Sequence, residues 1–205
     1  GVAFANAFLG INHSLSHKLG GWFHIPHGTA NALLAPYVCK FNAQRHPYHM
    51  GTFSQYKYPQ AFERYVELGE LIGVKGKNDE ETFKNWIKAL EQLKADIDIP
   101  PTICDWLCEA RPEKSAEDWE KEFLAAVDQM SEWAFHDACT GANPVYPMIG
   151  ELKQVYLRAF YGDDKFIEKY GDVLCLEINN PTDTHAAYPL GLTAEIGEDK
   201  VGGFK

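Results

Sequence analysis

Apolar residues recur at intervals of three and four along most of this chain, which is the spacing of one face of an α-helix. Residues typical of strands form only a short run near the end of the chain. No internal repeat or low-complexity tract interrupts the pattern. The pattern therefore predicts a loop over 43–58 and helices over 2–19, 28–42, 59–73, 79–99, 115–134 and 147–162.

Residues that favour helix ends give the boundaries of these segments. Gly20 and Gly21 are predicted to end the first helix, and residues 22–26 connect it to the second. Ser115, with Asp118 three residues later, has the spacing of a capping box at a helix N-terminus. The remaining residues that indicate a helix start or a kink are Pro36, Pro59, Asp79 and Pro147.

The C-terminal part of the chain departs from the helical pattern. Residues 173–178 favour a strand, and the segment after them contains an Asn-Asn-Pro sequence, a further proline and several glycines. This composition is typical of an extended segment rather than of a packed helix. We therefore predict an all-α, helical bundle-like domain over 1–165, followed by an irregular extended C-terminal arm over 166–205.

Composition and charge exclude several classes of protein. Of the 205 residues, 45% are hydrophobic, which is enough to build a buried core. The formal net charge of -10, without any cluster of Lys or Arg, argues against a nucleic-acid partner. The longest uncharged run, 19–39, contains glycine, histidine and proline, so it is predicted to be a buried segment and not a membrane span.

The cysteines and the first residue indicate where the chain comes from. Five cysteines at irregular spacings do not resemble the disulfide framework of a small secreted module, and the sequence contains no signal-peptide pattern. A cytoplasmic location is therefore predicted. The chain begins at Gly1 and enters an apolar segment at once, from which we predict a piece of a longer polypeptide. Cys104 and Cys108 are flanked by apolar residues and are predicted to pack in the core.

Four of the eight histidines lie within fifteen residues of an otherwise apolar stretch: His13, His17, His24 and His27. Two histidines four residues apart lie on one face of a helix, about 5 to 6 Å from each other, and imidazole is a common ligand of Zn and Fe. The glycine and proline residues that follow would turn the chain back, so that His27 approaches the same point. A metal site is one interpretation, and hydrogen-bonded core histidines are the other. A zinc protease is disfavoured, because Ser14 stands where its helix carries a catalytic Glu.

Several motifs resemble those of the iron-containing (group III) alcohol dehydrogenases. They begin with FANAFLG at 4–10, HSLSHKLG at 13–20 and HIPHG at 24–28. Further matching segments are Tyr65 to Gly73, Asp137 to Pro144 and Glu151 to Lys153. The resemblance covers about 1–162 and is strongest to the alcohol dehydrogenase part of the bifunctional aldehyde–alcohol dehydrogenases. It implies the C-terminal helical domain of that family, an α-domain of the dehydroquinate synthase-like kind.

The resemblance also implies a role for individual residues. The family holds its metal with one Asp and three His, and the last two of these histidines match His13 and His27. The residue that matches His17 points toward nicotinamide and substrate, which implies a catalytic or proton-relay role and a cofactor contact. Phe4 and Cys139 match positions that line the alcohol pocket, although a buried aromatic ring and a buried thiol would explain them equally well. The segment 137–144 is expected to form a rigid turn that closes one side of the cleft.

The function implied is that of the metal-binding half of an NAD-dependent alcohol dehydrogenase that reduces acetaldehyde-like aldehydes to alcohols. Fe(2+) is the expected metal, with Zn(2+) as the alternative, and it would act as a Lewis acid on the substrate oxygen. The chain has no Gly-rich loop after a strand, so NAD is expected to bind mainly to an upstream nucleotide-binding domain that this chain lacks. The chain alone is therefore expected to bind metal weakly and to catalyse nothing.

Two other functions stay open on the sequence. Bifunctional members of the family build helical filaments, so the chain could serve as a helical assembly module, and a homo-oligomer is expected in either case. The other alternative is a zinc-dependent relative of glycerol dehydrogenase or dehydroquinate synthase, since these enzymes use a similar helical domain.

Overall fold

The computed structural model describes residues 1–44 and 60–172, and the regular structure in these two ranges is helical. The all-α prediction is therefore confirmed for this part of the chain. Most of the predicted loop over 43–58 and the predicted arm beyond residue 172 lie outside the described residues. The helices are α1 Val2–Ala7, α2 Ile11–Phe23, α3 His27–Asn42, α4 Ala61–Leu71, α5 Asp79–Asp96, α6 Ile103–Ala110, α7 Ala116–Phe135, α8 Ile149–Tyr161 and α9 Asp163–Tyr170, with a 3-10 helix at Thr140–Ala142.

Helices α2, α3, α7 and α8 form the centre of the fold. Helix α2 packs against α3 and α7, and α8 packs against α3 and α7. Aromatic rings fill the space between α7 and α8, where Phe123 stacks on Phe160 with ring centroids 4.3 Å apart. The hydroxyl of Tyr156, which is fully buried, donates a hydrogen bond to the carbonyl oxygen of Leu15 at 2.8 Å. This core fixes the position of α2, the helix that carries most of the candidate site. None of the helices in the described ranges has the length and apolarity needed to cross a bilayer.

The prediction of one helix over 2–19 is wrong, because the chain breaks between α1 and α2. Phe8 has a positive φ of 59°, and Gly10 precedes the first residue of α2. A Cβ on Gly10 would lie only 2.6 Å from Oδ1 of Asn143, so this position requires glycine. The break is decided by a contact with a loop more than a hundred residues away, which local periodicity does not reveal.

The predicted end of α2 at Gly20 and Gly21 is also wrong, since the helix continues to Phe23. The ring of Phe23 is 1% exposed, and its carbonyl oxygen accepts a hydrogen bond from the Arg111 guanidinium at 2.7 Å. Burial of a Phe side chain contributes about 1.5–3 kcal/mol, which offsets about 1 kcal/mol for each helical glycine. The helix then ends at His24, whose φ of 52° is left-handed.

The other boundaries are set by polar caps. The capping box of Ser115 and Asp118 is confirmed at the start of α7. The cap of α5 is Asn78 rather than the predicted Asp79, because the Asn78 side chain accepts a hydrogen bond from the Glu81 amide at 2.9 Å. Helix α8 begins at Ile149, two residues after Pro147. Helix α4 begins at Ala61, and the predicted start at Pro59 lies outside the described residues.

Two helices have no counterpart among those predicted from periodicity. Helix α6 carries Cys104 and Cys108, which are half-buried and pack against the core as expected. Helix α9 buries Phe166 completely against the same core. The boundary predicted between domain and arm, at residues 165 and 166, falls inside α9.

Glu151 is a buried carboxylate in the first turn of α8. Its side chain accepts a hydrogen bond from the amide of Met148 at 2.7 Å, and the residue is only 7% exposed. Burial raises the pKa of Glu151 to about 7, although the Met148 hydrogen bond lowers it in part. The folded state therefore binds a proton more strongly than the unfolded state, whose Glu pKa is about 4.3. Stability is lost as the pH rises from the unfolded pKa through the folded one.

We expect Glu151→Gln to stabilise the protein above neutral pH, because Gln keeps the hydrogen-bond acceptor but carries no charge. The gain in the free energy of unfolding should reach about 3 kcal/mol at alkaline pH and should nearly vanish close to the pKa of unfolded Glu. Urea unfolding of both proteins across this pH range measures the difference. The exposed Glu109→Gln is the control. A gain that does not change with pH would contradict the assignment.

Candidate functional site

Three histidine rings meet where α2 and α3 join. His13 and His17 lie one turn apart on α2, and His27 is the first residue of α3. The ring centroids are 5.2 Å apart for His13 and His27, 5.9 Å for His17 and His27, and 6.2 Å for His13 and His17. The three centroids form a nearly equilateral triangle. The structure thus brings together the three site histidines that the sequence predicted.

The turn between α2 and α3 produces this arrangement. After His24, the side chain of Ile25 is buried at 2% exposure and anchors the turn in the core. Pro26 is the N-cap residue of α3, with φ -54° and ψ 138°, so the helix begins at His27. His24 itself is exposed and has the left-handed conformation that ends α2.

Two asparagines that the sequence analysis did not identify support His27. The Asn31 amide donates a hydrogen bond to the carbonyl oxygen of His27 at 2.9 Å and lies 3.1 Å from its Nε2. The Asn12 amide in turn donates to Oδ1 of Asn31 at 2.8 Å. Asn31 follows His27 by four residues, and this helical spacing could have indicated from the sequence that the two side chains lie close together. The amide contact uses the lone pair of Nε2, so a metal would bind at Nδ1 or displace Asn31 from Nε2.

The surroundings of the His13 ring favour metal binding over protonation. Burial lowers the pKa of His13, and the neighbouring His27 and His17 lower it further. Neutral imidazole has a free lone pair, which is the form that a divalent metal binds. Imidazole nitrogen is a common ligand of transition metals, so His13 and His27 fit such a site in the chemistry of their donor atoms. Two imidazoles supply only part of a ligand set, since such metals take four or more ligands.

A second cluster lies beside the first and includes Cys139. A ring nitrogen of His17, a carboxylate oxygen of Asp137 and Sγ of Cys139 lie within 4.8 Å of one another, and this is the one group of three such ligands in the described ranges. The Lys18 ammonium already occupies the carboxylate, with Nζ 2.7 Å from Oδ2 of Asp137. Burial and the nearby Asp137 raise the pKa of the Cys139 thiol, which disfavours the thiolate that binds metals. We interpret this cluster as an ion-paired network rather than as a metal site.

The segment after α7 is tied to α2 by polar contacts. The Thr140 hydroxyl lies 2.7 Å from the Ser14 hydroxyl and 2.6 Å from the carbonyl oxygen of Ala134, and both Thr140 and Ser14 are buried. Cys139 is also buried, at 5% exposure, and stands at the start of the 3-10 helix. These contacts agree with the rigid turn expected for residues 137–144.

Phe4, the other residue predicted to line the substrate pocket, lies on α1. It is 49% exposed, and its ring stacks on that of Phe8 with centroids 6.0 Å apart. A half-exposed aromatic ring excludes the interpretation of Phe4 as a core residue of this chain. Its contact with substrate stays a prediction.

Comparison with known proteins identifies the family of this chain. Residues 1–160 match the model of the Fe-containing alcohol dehydrogenase family, C-terminal. The chain is 48% identical over 166 residues to the bifunctional aldehyde-alcohol dehydrogenase AdhE of Escherichia coli (strain K12), a match that covers 80% of this chain and 18% of that protein. It is 36% identical over 164 residues to the NADPH-dependent butanol dehydrogenase of Clostridium saccharobutylicum, covering 80% of this chain and 36% of the relative.

A solved structure has the same fold. The iron-containing alcohol dehydrogenase from Thermococcus thioreducens aligns with a TM-score of 0.58 and 32% identity, covering 80% of this chain and 35% of that chain. This chain thus spans well under half the length of these relatives. Since the family model matches most of the chain, the chain belongs to the Fe-containing alcohol dehydrogenase family and corresponds to its C-terminal part.

Proposed function

We propose that this chain is the metal-binding half of an NAD-dependent alcohol dehydrogenase that interconverts small alcohols and acetaldehyde-like aldehydes. The observation that carries the proposal is the meeting of His13 and His27, with ring centroids 5.2 Å apart, inside the segment that matches the family. The match to a bifunctional aldehyde-alcohol dehydrogenase supports aldehydes and alcohols as the substrate class. The NADPH-dependent relative makes NADP the alternative cofactor, which activity with each nucleotide would distinguish.

The residues of this chain would have distinct roles. His13 and His27 would hold Fe(2+), or Zn(2+) in its place, together with an Asp and a His from outside the chain. The bound metal would supply Lewis-acid polarisation of the substrate oxygen. His17 would face substrate and nicotinamide without binding the metal. Phe4 and Cys139 would limit the size of the alcohol that enters.

The rest of the catalytic machinery would lie in an upstream nucleotide-binding domain. The described ranges of this chain contain helices alone, whereas dinucleotides bind at the carboxyl ends of parallel strands. We call this chain joined to that domain the two-domain enzyme. The cleft between the two domains would complete the metal site, and the enzyme would act in the cytoplasm as a homo-oligomer.

Metal removal tests the proposal. Dialysis of the two-domain enzyme against a chelator is expected to abolish NAD-linked alcohol oxidation, and added Fe(2+) is expected to restore it, because two of the metal ligands would be His13 and His27. The rate of NADH formation measures activity, and elemental analysis measures the metal. Full activity in the metal-free enzyme would contradict the proposal. Alcohol oxidation by this chain alone would contradict the assignment of the nucleotide site to the upstream domain.

A further inference from the structure

Asp137 is held by three donors at the edge of the histidine site. Its Oδ2 lies 3.1 Å from Nδ1 of His17 and 2.7 Å from Nζ of Lys18, and its Oδ1 accepts a hydrogen bond from the Cys139 amide at 3.0 Å. The Asp137 side chain is only 12% exposed. Donors on both oxygens fix the plane of the carboxylate. The fixed carboxylate in turn orients the imidazole ring of His17.

The charge state of Asp137 determines the direction of its hydrogen bond to His17. Burial would raise the pKa of Asp137, but hydrogen bonds from Lys18, the Cys139 amide and His17 hold it well below its usual range. An ionised carboxylate only accepts hydrogen bonds, so the hydrogen in this contact belongs to Nδ1 of His17. In a neutral imidazole with hydrogen on Nδ1, the lone pair is on Nε2.

The position of His17 leaves Nε2 of this tautomer available to a ligand. Its ring forms the triangle with His13 and His27, and Nδ1 is occupied by Asp137, so that Nε2 is the nitrogen left to interact with a ligand. A lone pair on Nε2 accepts a hydrogen bond, and the hydroxyl of an alcohol is a donor of matching chemistry. In the opposite tautomer Nε2 carries the hydrogen. It would then donate a hydrogen bond to the hydroxyl oxygen and could not accept one from the hydroxyl.

We propose that Asp137, held by Lys18, is a positioning residue that fixes the tautomer and the ring orientation of His17, so that Nε2 accepts a hydrogen bond from the alcohol hydroxyl. This inference rests on the proposed function and extends it to residues outside the metal site. Asp137 does not touch the substrate and acts through His17. The same contacts could instead only tie α2 to the segment after α7, and the experiment separates these two roles.

The test uses Asp137→Asn in the two-domain enzyme, with and without His17→Ala. An amide cannot accept hydrogen bonds on both of its heavy atoms, so it cannot satisfy His17, Lys18 and the Cys139 amide together. We expect kcat to fall about 10- to 100-fold, as for the loss of other groups that orient a functional histidine, while metal content is unchanged. In the His17→Ala background the Asp137→Asn change should have almost no further effect on kcat, because the residue it orients is gone.

Asp163→Asn is the matched control. Asp163 also accepts a hydrogen bond from a lysine, Lys40, at 2.7 Å and pairs with Arg158 at 2.8 Å, but it lies at the start of α9. The Asp163→Asn variant should have a lower melting temperature and an unchanged kcat. If Asp137→Asn likewise leaves kcat intact, or lowers it equally with and without His17, the positioning role is wrong. Loss of the metal in Asp137→Asn would also overturn it and would place Asp137 in the metal site.

A measurement without turnover separates this inference from the proposed function. Nitrogen-15 NMR of histidine-labelled, metal-free protein should report hydrogen on Nδ1 of His17 in the wild type and a changed tautomer in Asp137→Asn. Hydrogen on Nε2 in the wild type would overturn the inference, whatever the activity. If the wild-type enzyme oxidises no alcohol but the Nδ1 tautomer is found, the proposed function fails and the orienting role of Asp137 is retained.

Discussion

Replacing His13 or His27 by alanine in the two-domain enzyme is expected to remove the metal and to lower kcat/KM by at least about 100-fold. The loss of a group that merely supports a ligating histidine costs about 10- to 100-fold, so the loss of a ligand should cost more. Their rings are 5.2 Å apart, and nothing else in the described ranges completes a ligand set with them. Elemental analysis and steady-state kinetics measure the two effects.

His24→Asn is the control for these variants. His24 belongs to the same histidine-rich segment but is exposed in the left-handed turn, a conformation that asparagine tolerates. This variant should keep both metal and activity. Circular dichroism would establish that the alanine variants are folded. A folded His13→Ala or His27→Ala enzyme with its full complement of metal would exclude these residues as ligands.

Replacing Asn143 by alanine is expected to cause the largest loss of stability among the polar substitutions considered for this chain. Asn143 is 2% exposed, and its amide donates to Oδ1 of Asn42 at 2.6 Å and to the carbonyl oxygen of Val145 at 2.7 Å. Its own Oδ1 accepts from the amide of Ile11 at 3.2 Å. Alanine would leave these buried groups without partners, at about 1–3 kcal/mol for each unsatisfied group.

The expected total is about 3 kcal/mol, which corresponds to a melting temperature lowered by about 6–12 °C for a chain of this size. Calorimetry or thermal unfolding followed by circular dichroism measures the change. Asn85→Ala is the matched control, because Asn85 is half-buried and makes one hydrogen bond, to the carbonyl oxygen of Val74 at 3.1 Å. It should cost about 1 kcal/mol or less. Equal losses in the two variants would show that the Asn143 network adds nothing.

Asn143 also explains why the start of the fold was difficult to predict. It contacts Ile11, the first residue of α2, and occupies the space that a side chain at position 10 would need. The apolar residues on both sides of Gly10 continue the helical period, so periodicity alone joins α1 and α2 into one helix. Conversely, the low helix propensity of glycine predicts an end of α2 at Gly20 and Gly21. In the structure the helix continues to Phe23, which is buried and accepts a hydrogen bond from Arg111.

Some contacts of the candidate site could be predicted from the sequence and others could not. His13 and His17 are four residues apart on one helix, so their adjacency follows from helix geometry and was predicted from sequence. The approach of His27 was predicted from the turn and from the family motif. Asp137 is 120 residues from His17, and the motif around it indicated only a turn.

The sequence alone determined the helical class, most of the helices, the family and the three histidines, because each depends on spacings of a few residues or on contiguous motifs. The tertiary structure decided the break at Gly10, the end of α2 and the pairing of His17 with Asp137 and Lys18. Each of these depends on contacts between side chains that are distant in sequence. The packing of α2 against α7 and the segment after α7 brings these side chains together, and local propensity contains no information about such contacts.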